Sequence, residues 1–232
     1  MTQSSLLIVG GTHGIGTEIA RHYAERGWSV VLAGRDESHA KSVAADVGGD
    51  TRGIALDLSE PEQIADVLTD VGAVDHVVLS AIARDLNYVT EYNIAKARYL
   101  AIMKLVGYTA VVSALTDRLA EDGSVVMFGG RAKDRPYPGS LTVSTVNGGI
   151  SGLVRAMAVQ LAPRRVNAIH PGIVGNSPYW TENQEFTEKV RQATPTGRNV
   201  TIAEIIDAVD FLIRNRSVNG IDLYVDGGWL LQ

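Results

Sequence analysis

Short apolar runs alternate with longer amphipathic stretches along most of the chain. Seven runs carry Val, Ile and Leu at consecutive positions, which is typical of strands covered on both faces. These predicted strands are Leu6–Val9, Ser29–Ala33, Gly53–Leu56, His76–Leu79, Ser124–Phe128, Val166–Ile169 and Ile221–Val225. The amphipathic stretches between them predict helices over Gly14–Glu25, Glu37–Ala45, Glu60–Thr69, Lys96–Leu119, Ser144–Leu161 and Ala203–Ile213.

This alternation predicts an α/β fold, because a strand, a helix and a second strand form a right-handed crossover between parallel strands. We expect a Rossmann-type, doubly wound parallel sheet of about seven strands in three α/β/α layers. Ligands of such sheets bind beyond the carboxyl ends of the strands. The chain has no Pro/Ser-rich hinge and no internal repeat, so one domain is expected over residues 1–232.

Composition narrows the possible functions. The 21 Lys and Arg residues against 26 Asp and Glu give a net charge of −5 without a basic block, so no nucleic-acid partner is expected. The absence of cysteine excludes disulfides, a thiolate metal site and a cysteine nucleophile, and we expect no metal. No apolar run approaches the roughly 18–20 residues of a membrane span, and no secretory signal is recognisable. A cytoplasmic protein without a membrane partner is therefore expected.

The first predicted strand runs directly into a glycine-rich turn. The residues Gly10-Gly11-Thr12-His13-Gly14-Ile15-Gly16 separate this strand from the first helix. Glycines allow a sharp turn and a close approach to a pyrophosphate, and the free amides at the helix N-terminus attract the anion. A glycine cluster could also serve a tight turn alone, but its place at the start of a βαβ unit favours dinucleotide binding.

The end of the second strand bears on the choice between NAD and NADP. An acidic residue there favours a free ribose 2′-hydroxyl, and an arginine favours a 2′-phosphate. Gly34 stands where the acid is usually found and Arg35 follows it, while His13 could add a second donor. Asp36 would become the ribose-binding acid if the register slipped by one residue. We expect NADP(H) to be preferred, with NAD(H) possible.

Four motifs in order resemble the short-chain dehydrogenase/reductase family over nearly the whole chain. They are the glycine motif Val9–Gly16, Asp57-Leu58 after the third strand, Arg165-Val166-Asn167-Ala168-Ile169-His170-Pro171-Gly172, and the closing Val225-Asp226-Gly227-Gly228. The resemblance implies a nicotinamide cofactor and a small carbonyl or alcohol substrate. The cofactor-binding residues that follow are Gly10, Thr12, His13, Gly14, Ile15, Gly16, Arg35, Asp57, Leu58, Ser80, Ala81, Asn147, Pro171, Gly172 and Ile173.

The family's catalytic residues are replaced in this chain. Its Y-x-x-x-K motif falls on Val143 and Asn147, its assisting serine on Gly130, and its helix asparagine near Lys104. A positioned general acid is typically worth about 10²–10⁴ in rate, and Val143 cannot supply a proton. The one matching spacing, Tyr92 to Lys96, lies before the fourth helix and is interpreted as chance.

An enzyme of this kind therefore needs its proton from elsewhere. Tyr137, in the loop after the fifth strand, is the best candidate, although a tyrosine between two prolines could simply pack the loop. Arg131 and Lys133 could stabilise charge, and His170 is expected to be structural. Lys104 could face the site or extend along its helix towards solvent.

Two further features concern the substrate and the assembly. Tyr179 and Trp180 lie where the family has its mobile substrate lid, so they could contact a ligand or only pack the lid. The small residues Gly148, Gly152 and Ala156 form a stripe on the fifth helix, which could pack on the sheet. In the family the fourth and fifth helices form the dimer interface, so a homodimer or homotetramer through these helices is expected.

Three functions remain open at this point. The first is an NADP(H)-dependent oxidoreductase with a non-standard proton donor. The second is an NADP(H)-binding protein without redox turnover, in a regulatory or assembly role. The third is a non-redox lyase or isomerase on the same scaffold, because a fold does not determine function.

Overall fold

The computed structural model describes residues 3–231. The strands are β1 (Ser5–Val9), β2 (Ser29–Gly34), β3 (Asp50–Ala55), β4 (Val74–Leu79), β5 (Leu119–Phe128), β6 (Arg165–Pro171) and β7 (Asp222–Val225). The helices are α1 (Gly14–Ala24), α2 (Glu37–Val47), α3 (Ile64–Val67), α4 (Ile94–Leu115), α5 (Leu141–Gln160), α6 (Pro178–Thr181), α7 (Gln184–Ala193) and α8 (Ile202–Arg214). Helix α4 contains a π-helical stretch at Ile102–Gly107.

The strands form one parallel sheet of seven strands in the order β3-β2-β1-β4-β5-β6-β7. Strands β2 and β3 lie on one side of β1, and β4 to β7 lie on the other. In such sheets the ligand binds in the crevice between the two strands where the strand order reverses, here β1 and β4. The predicted α/β class, doubly wound parallel sheet and strand count are confirmed.

Each face of the sheet carries its own apolar core, because successive side chains of a strand point to opposite faces. Leu7 and Val9 of β1 belong to the core under α3, α4 and α5, while Leu6 and Ile8 belong to the core under α1, α2 and α8. These consecutive apolar positions are what the strand predictions depended on.

Several element boundaries differ from the predictions. The predicted helix Glu60–Thr69 is a 3₁₀ turn at Pro61–Gln63 followed by the single turn α3. The predicted helix Lys96–Leu119 begins at Ile94 and ends at Leu115, and Leu119 instead starts β5. There Leu119 pairs with Val74 ahead of a register shift, so a bulge lengthens the strand.

Helices α6 and α7 were not predicted as helices. In α7 only Thr187 and Val190 are buried, so its sequence is too polar to show a helical apolar face.

Helix α4 corrects one expectation from composition. It is long and apolar enough to cross a membrane, with a mean hydropathy of 1.3 in its most apolar window. Of that window, 44% is buried within the fold, and Tyr108, Val111 and Leu115 lie in the core on one face of the sheet. The helix packs as a core helix of the α/β domain.

Candidate cofactor and substrate site

The glycine-rich turn after β1 is shaped by close backbone contacts. Gly10 has φ +88°, a region that L side chains rarely adopt, and a Cβ there would lie 2.5 Å from the amide nitrogen of Ala81. A Cβ on Gly16 would lie 2.1 Å from the carbonyl oxygen of Gly10. These glycines let the start of α1 lie against the turn, with Ala81 of the β4 end beside it.

The N-terminus of α1 is arranged to receive an anion. His13 is the N-cap residue but its side chain makes no capping hydrogen bond, and the first turn contains no acidic residue. The first amides of a helix have no partner within the helix, and the helix dipole makes this end positive. An uncapped helix that follows a glycine turn fits a pyrophosphate.

The side chain of Thr12 limits the size of the residue at position 34, at the end of β2. A Cβ on Gly34 would lie 2.5 Å from Cγ2 of Thr12 and 2.6 Å from its Oγ1. Thr12 is itself buried. An aspartate or glutamate for the ribose 2′-hydroxyl therefore cannot be placed at this position while Thr12 keeps its place.

Basic side chains lie around the same corner. The rings of His13 and His39 are 4.6 Å apart, and the Arg35 guanidinium donates to the hydroxyl of Tyr99 at 3.4 Å. Burial, followed by repulsion from His39 and Arg35, lowers the pKa of His13. Three groups able to carry positive charge therefore meet at one corner, which is a favourable setting for a phosphate.

Asp36 is engaged elsewhere. Its Oδ1 caps α2 by accepting from the amide of His39 at 2.8 Å and from the hydroxyl of Ser38 at 2.6 Å. A capping role of this kind is typical of Asp at a helix N-terminus. The alternative in which Asp36 binds the ribose is therefore disfavoured by the structure.

The ends of β3 and β4 complete the nucleotide side of the crevice. Asp57 accepts from the amide of Ser59 at 2.8 Å and from its hydroxyl at 2.7 Å, and the neighbouring Leu58 is buried. The Ser80 hydroxyl donates to the carbonyl of Val9 at 3.3 Å. The Ser80 bond holds the loop beyond β4 beside the glycine turn, whereas the Asp57 bonds close a local turn beyond β3.

Two glycines, Gly129 and Gly130, follow the end of β5 and are closely packed by neighbouring side chains. A Cβ on Gly130 would lie 2.6 Å from Nδ2 of Asn147, and a Cβ on Gly129 would lie 2.3 Å from Cε1 of His170. Gly130 has extended backbone, and neither glycine has a positive φ. Both positions are therefore glycine because neighbouring side chains fill the space.

His170 fixes the position of the Gly129-Gly130 segment through its hydrogen bonds. Its ring is fully buried, accepts from the amide of Gly130 at 3.0 Å through Nδ1, and donates to Oδ1 of Asp222 at 2.7 Å through Nε2. Nδ1 also lies 3.2 Å from the carbonyl oxygen of Gly130, and burial, opposed by the hydrogen bond to Asp222, lowers the pKa of His170. The expected structural role of His170 agrees with these contacts.

The positions of the usual tyrosine, lysine and serine contain no group that could protonate an alkoxide. Val143 is half-buried and packs against the core. Asn147 is 6% exposed and makes no hydrogen bond to the described residues, yet its amide is not enclosed, so it remains available to a ligand.

Lys104 corrects one of the sequence alternatives, because it does not extend towards solvent. It is 3% exposed, and Nζ donates to the carbonyl of Phe128 at 2.5 Å, beneath the end of β5. Burial lowers the pKa of Lys104 to about 7.

Tyr137 lies at the mouth of the cleft and is 50% exposed. Its backbone is fixed by Ser140, whose hydroxyl accepts from the Tyr137 amide at 2.9 Å. Burial, then the neighbouring Tyr179, raises the pKa of Tyr137, and Asp85 acts in the same direction against Arg84. Four titratable side chains therefore converge at this mouth.

Sequence reasoning missed a buried polar cluster beside that mouth, formed by Asp85, Asn87 and Thr142. Nδ2 of Asn87 lies 3.3 Å from Oδ2 of Asp85 and 3.1 Å from Oγ1 of Thr142. Oδ1 of Asp85 is enclosed and has no hydrogen-bond partner among residues 3–231. A polar residue shortly after a strand end was the one available signal, and it could not reveal the contact with α5.

The remaining predicted residues lie where the β6 and β7 ends meet. A Cβ on Gly172 would lie 2.9 Å from Cα of Asp226, so the Pro171-Gly172-Ile173 segment runs close to the closing motif. Arg131 is buried, forms an ion pair with Asp226 and lies 4.8 Å from the centroid of the Trp229 ring. Lys133 bonds Asp134 and Tyr224, so both loop cations are already partnered.

In the lid region, the Tyr179 and Trp180 rings lie 4.7 Å apart, and Trp180 stacks on Phe186 at 5.2 Å. The Arg84 guanidinium carbon lies 3.2 Å from the centroid of the Tyr179 ring. Trp180 thus packs within the lid, whereas Tyr179 faces the loop after β4.

Known proteins are similar to this chain in sequence and in fold. A family model described as Enoyl-(Acyl carrier protein) reductase matches residues 9–230. A 3-oxoacyl-[acyl-carrier-protein] reductase of Bos taurus is 28% identical over 230 residues, covering 95% of each chain. A solved short chain dehydrogenase/reductase family protein is 29% identical with a TM-score of 0.90, covering 99% of this chain and 98% of its own.

A small-chain dehydrogenase solved in complex with NADPH has a TM-score of 0.85 at 24% identity, with 100% of both chains covered, and at that identity it shows the fold alone. Together with the glycine turn, the seven-stranded sheet and the four motifs, the family match is conclusive. The chain belongs to the short-chain dehydrogenase/reductase family.

Proposed function

We propose that this protein is an NADP(H)-dependent oxidoreductase acting on a small carbonyl or alcohol, with Tyr137 as a non-standard proton donor. The observation that carries the cofactor preference is the contact between Thr12 and Gly34, which leaves no room for a ribose-binding acid at position 34 while Thr12 keeps its place. A protein of the same fold binds NADPH, which agrees with this preference, and the name of the Bos taurus reductase supports the reduction of a carbonyl.

The residues present fit the cofactor. The free amides of α1 would hold the pyrophosphate, Arg35 and His13 the 2′-phosphate, and the amide of Asn147 the nicotinamide ribose. When bound, NADPH supplies the hydride. The segment Pro171-Gly172-Ile173 and the loop after β4, including Ser80 and Ala81, would enclose the nicotinamide end.

Tyr137 is proposed as the donor for a neutral carbonyl, because hydride addition leaves an alkoxide that needs a proton. Its raised pKa keeps the phenol protonated but makes it a weak acid. Tyr137→Phe should therefore reduce carbonyl turnover about tenfold or more. Unchanged turnover would remove Tyr137 from the mechanism.

The absence of a donor at Val143 and Gly130 favours a second candidate, an NADP(H)-binding protein without turnover. Measuring the oxidation of NADPH with a panel of ketones, aldehydes and quinones separates the two candidates, because tight NADPH binding without turnover would support the second.

We also propose that the protein is a cytoplasmic homo-oligomer.

The cofactor assignment is tested by titrating the protein with NADPH and NADH. Arg35→Ala should raise the dissociation constant of NADPH about ten- to hundredfold, since it removes a charge-assisted hydrogen bond to the 2′-phosphate. The dissociation constant of NADH should change little. Arg26→Ala, after the end of α1, is the matched control. Equal losses for both cofactors would contradict the 2′-phosphate assignment.

A further inference from the structure

Asp85 is a buried carboxylate that the proposed reaction does not use. It is 6% exposed, and no Lys or Arg within the described chain forms an ion pair with it. The neighbouring Arg84 instead places its guanidinium over the Tyr179 ring. A buried carboxylate without a cation is costly, because neither water nor an opposite charge compensates it.

The side chain of Asp85 is also poorly hydrogen-bonded. Nδ2 of Asn87 has two hydrogens but faces three acceptors: the carbonyl of Asn93 at 3.0 Å, Thr142 at 3.1 Å and Asp85 at 3.3 Å. Asp85 is the most distant of the three, and its second oxygen has no partner. A ligand that brought positive charge would relieve this cost.

The carboxylate lies on the side of the cleft where the usual proton donor is missing. Thr142, which shares Asn87 with it, directly precedes Val143 in the first turn of α5. Asn87 also pairs with the loop before α5, since its amide donates to the carbonyl of Gly139 at 2.7 Å. Tyr137 is close enough for the Asp85 charge to raise its pKa.

We propose that the substrate class of this site is an iminium ion and that Asp85 binds its positive charge. The proposal rests on the hydride transfer from NADPH in the proposed function and adds a charged substrate class at the same site, for which Tyr137 is not needed as a donor. The half-exposed rings of Tyr137 and of Tyr88, which lies against Gly139, suit a cation next to an apolar body, while Arg84 already covers the Tyr179 ring.

Reduction of an iminium ion needs no acid. When an iminium carbon accepts a hydride, a C–H bond forms and the π pair of the C=N bond becomes the lone pair of nitrogen. The product is a neutral amine, and the reduced nicotinamide is oxidised to its cationic form. No proton moves, whereas a ketone would leave an alkoxide that Val143 and Gly130 cannot protonate and that depends on Tyr137 alone.

The test compares two probes of similar shape, N-methyl-3,4-dihydroisoquinolinium, which is permanently charged, and 2-tetralone, which is neutral. With NADPH, we expect the iminium to be reduced with a kcat/KM at least a hundredfold higher than that of the ketone. Tyr137→Phe should leave the iminium rate within about twofold, because that reaction needs no proton. Preference for the ketone would overturn the inference while leaving the proposed function intact.

Asp85→Asn separates binding from chemistry. The positive charge disappears during the reaction, so the carboxylate binds the ground state more strongly than the transition state. We expect KM for the iminium to rise tenfold or more with kcat not lowered, while KM for 2-tetralone stays the same. Asp66→Asn, on the exposed side of α3, is the matched control, and an unchanged iminium KM in Asp85→Asn would overturn the proposal.

A binding measurement on the unaltered protein covers the case in which Asp85→Asn does not fold. In calorimetry with NADP⁺ present, protonated N-methyltetrahydroisoquinoline should bind at least tenfold more tightly than neutral 2-tetralol. Equal affinities would overturn the inference. NADPH binding without reduction of either probe would overturn the hydride-transfer function and with it the iminium substrate, and this outcome differs from a simple preference for the ketone.

Discussion

At the residue scale, the end of β5 is an alternative arrangement of side chains and not a site that has merely lost groups. Asn147 fills the space beside Gly130, and the buried His170 fills the space beside Gly129. His170 is itself fixed by Asp222 and by the Gly130 amide. Each small residue is thus required by a specific larger neighbour, so the replacements depend on one another.

Gly130→Ala should destabilise the protein by about 1–2 kcal/mol, because the methyl group overlaps the Asn147 amide. Chemical denaturation measures this free energy of unfolding. In a cycle with Asn147→Ala, the double variant should be at least about 0.5 kcal/mol more stable than the sum of the single effects, since the vacated space accepts the methyl group.

Gly72→Ala is the control, because nothing lies within 4 Å of its added Cβ. Strictly additive effects of Gly130→Ala and Asn147→Ala would show that the two positions do not compete for space.

The candidate site was predictable from sequence where it is local. Gly10 and Gly16 follow a strand directly, so their role in a phosphate-binding turn can be inferred from neighbouring residues. Asp85 and Thr142 are more than fifty positions apart and meet only through Asn87, a contact that no local pattern encodes. His39 likewise reaches His13 only because α2 packs beside the turn.

At the element scale, the strands were predictable and the helix ends less so. Strands buried on both faces are apolar throughout, whereas α7 is largely polar and α3 is a single turn after Pro61. The start of β5 depends on its pairing with Val74, which sequence periodicity does not contain. Tertiary pairing therefore decided the boundaries that local patterns predicted wrongly.

Strand β4 carries a half-buried histidine that makes stability depend on pH. His76 stacks on Trp28 at 5.5 Å and bonds the Ser124 hydroxyl at 2.9 Å. Burial lowers the pKa of His76 to about 4. The unfolded chain takes up this proton near pH 6.5, so the contribution is complete above that pH and is lost as the pH falls towards 4.

His76→Gln should therefore reduce the loss of stability between pH 7 and pH 5 by up to about 2 kcal/mol relative to the unaltered protein. Denaturation curves at both pH values measure it, and the comparison cancels other histidines. Between pH 7 and pH 8 the two proteins should keep a constant difference. Parallel losses down to pH 5 would show that His76 is not the responsible group.

At the scale of the whole molecule, the small-residue stripe on α5 faces outwards. Gly148, Gly152 and Ala156 are exposed, and an added Cβ on either glycine meets nothing within 4 Å. Packing on the sheet within one subunit is therefore wrong as an explanation. Val159 on the same helix is 79% exposed. This face fits the proposed homo-oligomer, in which a second copy would cover it.

Gly152→Glu should convert the proposed oligomer to a smaller species, because a charged side chain would enter the contact between two copies of α5. Light scattering after size-exclusion chromatography measures the mass. The monomer itself should tolerate the change, since glycine costs a helix interior roughly 0.5–1 kcal/mol relative to alanine. Gly72→Glu is the control, and an unchanged mass for Gly152→Glu would place the interface elsewhere.

The contact of Thr12 with Gly34 has a consequence for engineering the cofactor preference. Attraction between Arg35 and a phosphate is screened by salt, but overlap of atoms is not. Introducing an aspartate at position 34 alone would force it into Thr12. A redesign for NAD(H) must therefore replace Thr12 with a smaller residue before it adds the acid. Removing Arg35 without these steps would weaken the binding of NADP(H) without creating a binding site for the NAD(H) ribose.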